Sequence, residues 1–380
     1  MEIFRDAASI AGYVPPFLFV LTIVVFFHEL GHFLVGRLCG VGVVTFSIGF
    51  GPELFGWNDR HGTRWRVSAI PLGGYVKFVG DDNAASVPDR DGLDALPEKD
   101  RRRAFQAKSV AARAAIVAAG PLANFLLAIV IFSAIPMISG RMDLMPKVGS
   151  VAVGEPADLA GIRAGDLVVS IEGRPVESFM DILRIVSERA GVPTGFVLDR
   201  DGRRIETLVT PRLFEETSRF GNQRRGLVGI RASDDPADRH LKLFSPLDAV
   251  VEGVRETGFV ITRTLSYLGG IVTGRESIDQ LGGPLRVAQI SGEVAGLGIA
   301  ALVNLAALLS VSIGLLNLFP VPLLDGGHLV YYAIEAARGR PLSDRAQDIG
   351  FRIGLGLILM LMLVSSWNDI AHLASLGRGS

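Results

Sequence analysis

Four long apolar stretches constrain this chain more than any other feature of its sequence. About 20 apolar residues, or somewhat fewer where flanking side chains reach the interface, cross the hydrocarbon core of a bilayer as a helix. A mean hydropathy of +0.39, with charged residues at 20%, is also too apolar for an ordinary soluble protein. We therefore predict a polytopic α-helical membrane protein with transmembrane helices at roughly residues 15–37, 114–138, 294–324 and 353–367.

The net charge and the cysteine content argue against a nucleic-acid partner and exclude an intrachain disulfide and a cysteine-rich metal site. The formal net charge is -1, so no basic surface is expected that could compensate phosphate charge, and we predict no nucleic-acid partner. The single cysteine, Cys39, excludes an intrachain disulfide and a cysteine-rich metal site. Any metal must therefore be held by His, Asp or Glu.

The distribution of basic residues predicts the orientation of the chain. Two connecting segments, 39–113 and 326–352, are rich in arginine. Short basic loops stay on the cytoplasmic side of a membrane, whereas long translocated segments are exempt from this charge rule. We therefore place both basic segments in the cytoplasm, and both chain termini and the long segment 139–293 on the outer side.

The outer segment begins with the pattern of a small β-rich domain, at residues 146–213. Alternating Val and Ile runs are separated there by Gly, Pro and Asp turn residues, and a helical stretch lies near 178–190. The rest of the segment, 214–293, contains an amphipathic stretch at 244–275 that carries too many charges to span a bilayer. We predict a helix there that lies along the membrane surface.

The strongest local pattern is His28-Glu29-Leu30-Gly31-His32, in the first apolar stretch. Histidines four apart on a helix lie on one face, about 6 Å apart along its axis, so both imidazoles can bind one ion. Zinc accepts nitrogen ligands and keeps one position for a water, whose proton Glu29 can take. Satisfied core histidines are the alternative, but ionisable groups inside a membrane span usually have a function.

Two histidines need a third ligand, and Asp325 at the end of the third apolar stretch is the candidate. Pro320 and Pro322 would break the helix just before it, which is typical of a cavity wall in a membrane protein. A helix-end cap at the membrane interface is the alternative. His328, three residues further, is expected at a polar surface.

These motifs together resemble the site-two protease family of intramembrane zinc metalloproteases, and most closely its bacterial branch of regulator-of-sigma-E proteases. The resemblance rests on the His28 to His32 motif, on Gly120-Pro121-Leu122-Ala123-Asn124 and on the Asn317 to Gly326 motif, with an inserted PDZ-like domain. It implies that His28, His32 and Asp325 bind Zn²⁺ and that Glu29 is the general base and acid.

The resemblance also implies a set of substrate-binding residues, Asn317, Asn124, Gly74 and Tyr75. Asn317 matches a family asparagine near the cleavage region, and hydrogen bonding between helices is the alternative for both asparagines. Gly74 and Tyr75 belong to a segment, 64–79, that looks like the family's membrane-associated β-loop. An extended substrate could pair with its edge, although a plain surface hairpin is the alternative.

The implied function is cleavage of the transmembrane segment of single-pass membrane proteins. The implied substrate is an anti-sigma factor already trimmed by another protease on its outer side, with remnant signal peptides as further candidates, and the implied location is the bacterial inner membrane. The PDZ-like domain would dock or filter substrates, or act as a spacer. The predicted boundaries are 1–38, 39–113, 114–138, 146–213, 214–293, 294–325, 326–352 and 353–369.

Two other functions remain open from the sequence. One is a membrane-embedded PDZ scaffold without catalysis, against which the intact Glu29 and Asp325 argue. The other is a metal transporter that uses His28, His32 and Asp325 as a transit site.

Overall fold

The computed structural model describes residues 2–81, 97–218, 221–274 and 282–376. Parts of the predicted segments 39–113 and 214–293 lie outside these ranges. The chain divides into two compact units. The helical unit comprises Met1–Ile135, Asp248–Leu268 and Gly282–Ile370, and the β-rich unit comprises Pro136–Leu247, Gly269–Leu281 and Ala371–Ser380.

Helices make up most of the helical unit. In the described parts of the chain the α-helices are α1 (Glu2–Leu38), α2 (Glu98–Arg101), α3 (Val110–Ser139), α4 (Pro156–Leu159), α5 (Phe179–Ser187), α6 (Pro246–Val272), α7 (Pro284–Ala295), α8 (Ile299–Asn317), α9 (Asp325–Arg338) and α10 (Asp344–Leu376).

Four of these helices contain segments long and apolar enough to cross a membrane. The segments are Gly12–Leu38, Val110–Ser139, Ile299–Asn317 and Arg345–Ala371. In the α10 window only 6% of residues are buried, so its apolar side chains are exposed as they are in a helix that faces lipid. The number of spans agrees with the sequence prediction.

The bounds of the third and fourth spans differ from the prediction. The predicted third span, 294–325, is two helices and a turn, because Gly298 at φ +105° separates α7 from α8 and the helix ends at Asn317 before the two prolines. The fourth helix begins well before the predicted residue 353. The helix continues through Arg352, whose long basic side chain can extend along it toward a polar surface.

Close helix packing in this unit depends on residues without a side chain. A Cβ added at Gly31 of α1 would lie 2.2 Å from the carbonyl oxygen of Ala119 on α3. A Cβ at Gly292 of α7 would lie 1.9 Å from Cδ1 of Tyr13 on α1. Glycine therefore allows α1 to approach α3 on one side and α7 on the other, as small residues do between membrane helices.

A long hairpin follows α1 and packs against it. Strand β1 (Val43–Asn58) pairs antiparallel with β2 (Arg64–Phe78), which corresponds to the predicted β-loop. Asp59 closes the turn by accepting hydrogen bonds from the backbone N–H of Thr63 and from Trp65 Nε1. Burial raises the pKa of Asp59, but these hydrogen bonds outweigh it and lower the pKa to about 2.

The β-rich unit has a four-stranded antiparallel sheet at its centre. The sheet order is β6-β5-β7-β8, and α5 packs its buried Ile182 into the same core. Its described strands are β3 (Arg141–Leu144), β4 (Val148–Val151), β5 (Leu167–Ile171), β6 (Arg174–Pro175), β7 (Thr194–Arg200), β8 (Arg203–Val209), β9 (Arg212–Ser218), β10 (Gly221–Leu227), β11 (Ile230–Ala232) and β12 (Arg239–Lys242).

Strand pairing extends this unit beyond the predicted domain of 146–213. Strand β11 pairs with β4, and β12 pairs with β3, so the paired strands extend from Arg141 to Lys242. The sequence pattern missed this because the partners are about 80 to 100 residues apart along the chain, which no local periodicity reports.

Helix α6 is the amphipathic helix that the sequence predicted at 244–275. Within the helical unit its Gly253 lies against α3, because a Cβ there would be 2.2 Å from Ser133 Oγ. Thr257 is also buried on this face, whereas Val250 and Val254 are exposed. The prediction of a helix along the membrane surface did not include this contact with α3.

A buried ion pair joins two parts of the β-rich unit. Asp166 is 1% exposed and accepts hydrogen bonds from Arg200 at 2.6 and 2.8 Å and from the backbone N–H of Arg163. Burial raises the pKa of Asp166, but these donors outweigh it, so the pKa lies below its ordinary range.

Replacing Arg200 with Met should destabilise the β-rich unit at pH 7 by clearly more than the roughly 0.5 kcal/mol expected at an exposed site, because Asp166 would lose its guanidinium partner. Since the folded pKa of Asp166 is lowered, its contribution is complete above the unfolded pKa of about 4 and is lost as the pH falls through the folded value. The difference from wild type should therefore shrink on acidification. Hydrogen exchange of the β5 and β7 amides, measured by mass spectrometry on the full chain in detergent, reports this difference in stability.

Arg203→Met is the matched control, because Arg203 is exposed on the neighbouring strand β8. We expect its effect to stay within about 0.5 kcal/mol. Equal amide protection in the two variants at pH 7 would show that the ion pair does not stabilise the unit.

Candidate active site

Helix α1 positions the two histidines and the glutamate of the site. His28 and His32 are four residues apart, so their side chains lie on the same face of the helix. Their Nε2 atoms are 3.2 Å apart, and the side chains are 12% and 13% exposed. Glu29, on the adjacent face, lines the cavity beside them.

Asp325 reaches the histidines because the chain turns sharply after α8. Leu323 has a φ of +91°, and α9 begins at Asp325. The next residue must be glycine, since a Cβ at Gly326 would lie 2.2 Å from the carbonyl oxygen of Phe319. The Asp325 carboxylate then lies 3.2 Å from His28 Nε2 and 3.6 Å from His32 Nε2.

The three side chains fit a zinc ion. Zinc bonds of about 2.0–2.1 Å in a tetrahedral site separate neighbouring ligand atoms by about 3.3 Å. The two histidine Nε2 atoms are 3.2 Å apart, His28 Nε2 lies 3.2 Å from Asp325 Oδ2, and His32 Nε2 lies 3.6 Å from Asp325 Oδ1. Oδ2 of Asp325 is buried and makes no hydrogen bond to the described residues. A cation at this point would satisfy that oxygen.

Helix α3 packs against the rings of both histidines. The carbonyl oxygen of Ile116 lies 2.9 Å from His32 Nδ1, so this nitrogen donates its hydrogen and Nε2 keeps a lone pair for a metal. A Cβ at Gly120 would lie 2.3 Å from His32 Nε2 and 2.9 Å from His28 Cε1. Only glycine therefore allows α3 to pack this close to both histidines.

The four residues predicted to bind substrate occupy different positions. Asn317 places its Nδ2 3.5 Å from His28 Nε2, and Gly74 and Tyr75 line the cavity. Asn124 differs, because its side chain is fully buried and its Nδ2 lies 3.3 Å from His28 Nδ1. It is a neighbour of a candidate metal ligand, and its predicted role in substrate binding stays a prediction.

Strand β2 approaches the glutamate directly. The backbone N–H of Val76 hydrogen bonds with the Glu29 carboxylate. A Cβ at Gly74 would lie 3.1 Å from Glu29 Cγ, so glycine allows the strand to come this close to α1. The strand that was predicted to bind substrate is thus in contact with the predicted general base.

A cavity of about 230 Å³ opens beside these groups. Its polar lining includes Glu29, His32, Asp325 and His328. His328 was expected at a polar surface, but α9 begins at Asp325 and one helical turn places His328 on the same face as the ligand. Apolar and aromatic side chains also line the cavity, namely Val76, Phe78, Phe105, Ile116, Val117, Leu323, Tyr75 and Tyr332.

The family model described as Peptidase family M50 matches residues 16–361 of the chain. The chain belongs to peptidase family M50. This M50 member is 52% identical over 366 residues to a protein of Agrobacterium fabrum that is named a zinc metalloprotease, with 96% of this chain and 97% of the relative covered. It is 42% identical over 376 residues to the metalloprotease MmpA of Caulobacter vibrioides, with 93% and 94% covered.

The family and the relatives establish the coarse activity. The M50 protein is a zinc metalloprotease, and its four apolar helices together with the family indicate a membrane protein. Part of the chain is similar to a solved structure, the PDZ domain of an SdrC-like protein of Listeria monocytogenes. That match has a TM-score of 0.20 and 20% identity, and it covers 23% of this chain and 87% of that one.

Several contacts of this M50 site are absent from the sequence prediction. The Ile116 carbonyl and the Val76 N–H are backbone groups, which leave no trace in residue type. Tyr332 and Phe105 line the cavity from α9 and from a short 3₁₀ helix. A spacing of seven residues from Asp325 could have indicated Tyr332, because residues seven apart lie on one helix face.

Replacing Gly120 with Ala should weaken zinc binding, because the new methyl group would overlap His32 Nε2 and press on His28. Overpacking of this kind costs about 1–3 kcal/mol. If it destabilises only the zinc-bound arrangement of the histidines, the zinc affinity falls by roughly 5- to 150-fold. Competition with a chromophoric chelator measures it. Gly356→Ala on α10 is the control, since nothing lies within 4 Å of its added Cβ. Unchanged zinc affinity in Gly120→Ala would contradict the position of α3 beneath the ligands.

Proposed function

We propose that this zinc metalloprotease cleaves peptide bonds within the transmembrane segments of single-pass membrane proteins. The observation that carries the proposal is the position of the site in the chain. Glu29 and two candidate ligands lie in the apolar segment Gly12–Leu38, and Asp325 follows the apolar segment Ile299–Asn317. A site built on such helices is reached by substrates that are themselves in the membrane.

Glu29 is the residue to which we assign proton transfer. When bound, zinc would polarise the scissile carbonyl and lower the pKa of a water toward 7. The Glu29 carboxylate takes the proton of the attacking water and gives a proton to the leaving amine. Its hydrogen bond with the Val76 N–H fixes the carboxylate at the cavity wall before reaction.

Asn317 is positioned to bind the reacting carbonyl group. Its Nδ2 lies 3.5 Å from His28 Nε2, so an amide donor stands at the edge of the ligand set. Donors that point at the place where an oxyanion develops stabilise the transition state of acyl transfer. This assignment agrees with the substrate contact that the resemblance implied.

We propose that the substrate binds as an extended strand along β2. A peptide bond in an intact helix is shielded by its own hydrogen bonds, so the segment must unwind before it is cut, and its freed backbone groups then need partners. Gly74 and Val76 lie next to Glu29, and a strand added here would be delivered to the base. The apolar cavity would take a substrate side chain next to the scissile bond.

Substrate and location follow from the family resemblance. We propose an anti-sigma factor, trimmed earlier by a protease on the outer side, or a remnant signal peptide. The protein would lie in the bacterial inner membrane with its termini and the β-rich unit in the periplasm. That unit would act as a PDZ domain, which binds extended peptides at a sheet edge. Its antiparallel sheet and the helix α5 support this assignment.

Replacing Glu29 with Gln should slow cleavage by about 10²- to 10⁴-fold, because the amide of Gln cannot accept the proton. The zinc content should stay near one per chain, because Glu29 is not one of the candidate ligands. The assay uses a tagged single-pass anti-sigma factor, trimmed on its outer side, with purified proteins in detergent. Glu188→Gln, at an exposed position of the β-rich unit, is the control and should cut like wild type.

The cleavage assay tests the role of Glu29, and a zinc-transport assay in proteoliposomes separates the protease from a transporter. Cleavage by Glu29→Gln at the wild-type rate would exclude Glu29 as the base. A wild-type protein that moves zinc across proteoliposomes but cuts neither the trimmed anti-sigma factor nor a signal peptide would favour a transporter.

A further inference from the structure

Asn124 lies against the side of His28 that faces away from the other candidate ligands. Its amide nitrogen is 3.3 Å from His28 Nδ1, and its side chain has no exposed surface. The opposite nitrogen, Nε2, faces His32 and Asp325 at 3.2 Å each. His28 therefore stands between the metal position and a buried amide.

The chemistry of imidazole determines what this amide must do. A neutral ring carries one hydrogen, so if Nε2 is to bind zinc the hydrogen must be on Nδ1. Buried Nδ1–H groups need an acceptor, and histidine ligands of zinc nearly always have one. His32 has the Ile116 carbonyl at 2.9 Å. His28 has the Asn124 amide in the equivalent place.

The two ends of that amide are not equivalent. Its NH₂ end, which faces His28, can only donate, and it cannot accept from an Nδ1–H. Its oxygen, Oδ1, is buried without a hydrogen bond to any residue that the structure describes. Rotating the amide by 180° places Oδ1 toward Nδ1, which gives the oxygen a donor and His28 an acceptor in one step.

We propose that Asn124 is a positioning residue for zinc, whose Oδ1 accepts the Nδ1–H of His28 and thereby keeps Nε2 free to bind the metal. An NH₂ end toward Nδ1 would instead favour the other tautomer, which has its hydrogen on Nε2 and no lone pair there for zinc.

The surroundings of Asn124 keep it in place for this role. Ser310 Oγ on α8 donates to the backbone oxygen of Asn124 at 2.9 Å. A Cβ at Gly314 on α8 would lie 3.0 Å from Asn124 Cβ, so the two helices touch at this residue. The amide can rotate about its own axis, but the residue cannot move away from His28.

We test the proposal by measuring the zinc affinity of the whole chain in detergent. The apo protein is titrated with zinc against a chromophoric chelator for wild type, Asn124→Leu, Asn124→Asp and Ser310→Ala. Outer partners of zinc ligands are worth about 10- to 100-fold in affinity, so Asn124→Leu should bind zinc weaker by that factor. Asn124→Asp keeps an acceptor oxygen and should bind within about threefold of wild type or tighter.

Ser310→Ala is the matched control, because it removes the other hydrogen bond at the same helix contact and leaves the amide in place. Its zinc affinity should stay within about threefold of wild type, since the bond that it removes does not reach His28. An unchanged affinity in Asn124→Leu would overturn the proposal. So would an equal loss in Asn124→Leu and Asn124→Asp, because only packing would then explain both.

A second measurement needs no variant that might fail to fold. In wild-type protein labelled with ¹⁵N on histidine, long-range proton–nitrogen spectra distinguish the two tautomers. The zinc-loaded protein should show His28 with a hydrogen on Nδ1 and zinc on Nε2, assigned by its shift in Asn124→Asp. Zinc on Nδ1, or a hydrogen on Nε2 in the loaded protein, would overturn the proposal.

Discussion

The protein must hold charged and polar groups within a unit whose other side chains are mostly apolar, and this requirement explains much of its architecture. A buried carboxylate without a partner is costly, and so is a buried ring nitrogen. Asp325 lies 3.2 Å from His28 Nε2, the Ile116 carbonyl accepts the hydrogen bond of His32 Nδ1, and the Val76 N–H bonds to Glu29. Each partner comes from a different element. The site therefore exists only when α3, β2 and the turn before α9 are packed against α1.

Glycine makes that packing possible at three contacts around the site. The approach of α3 depends on Gly31 and Gly120, where a Cβ would overlap a backbone oxygen or a histidine ring. The turn that carries Asp325 packs against α10 through Gly354, whose Cβ would lie 1.8 Å from the Pro322 carbonyl oxygen. The mostly exposed helix α10 thus supports the turn that positions the candidate ligand Asp325. Membrane helices pack closely through small residues, and here the same contacts set the position of the ligands.

The sequence revealed the parts of the site that are local. His28, Glu29 and His32 follow from helical spacing, and the break at Pro320 and Pro322 indicated why Asp325 would leave the third helix. What it could not reveal depends on packing between distant segments. The position of Asn124 is an example, because only the contact of α3 with α1 shows that this predicted substrate-binding residue is a neighbour of His28. The strand β11 is another, since its partner β4 lies about 80 residues earlier in the chain.

The contact between β2 and Glu29 links recognition to catalysis in the proposed reaction. A strand that binds an extended substrate and also fixes the general base brings the unwound peptide to the carboxylate in a single step. A helical transmembrane segment offers no free backbone groups to such a strand, since its own hydrogen bonds already use them. Selectivity would therefore depend on how easily a segment unwinds as well as on its side chains. This dependence would protect stable transmembrane helices, which meet the same membrane-embedded protease but cannot add a strand to β2.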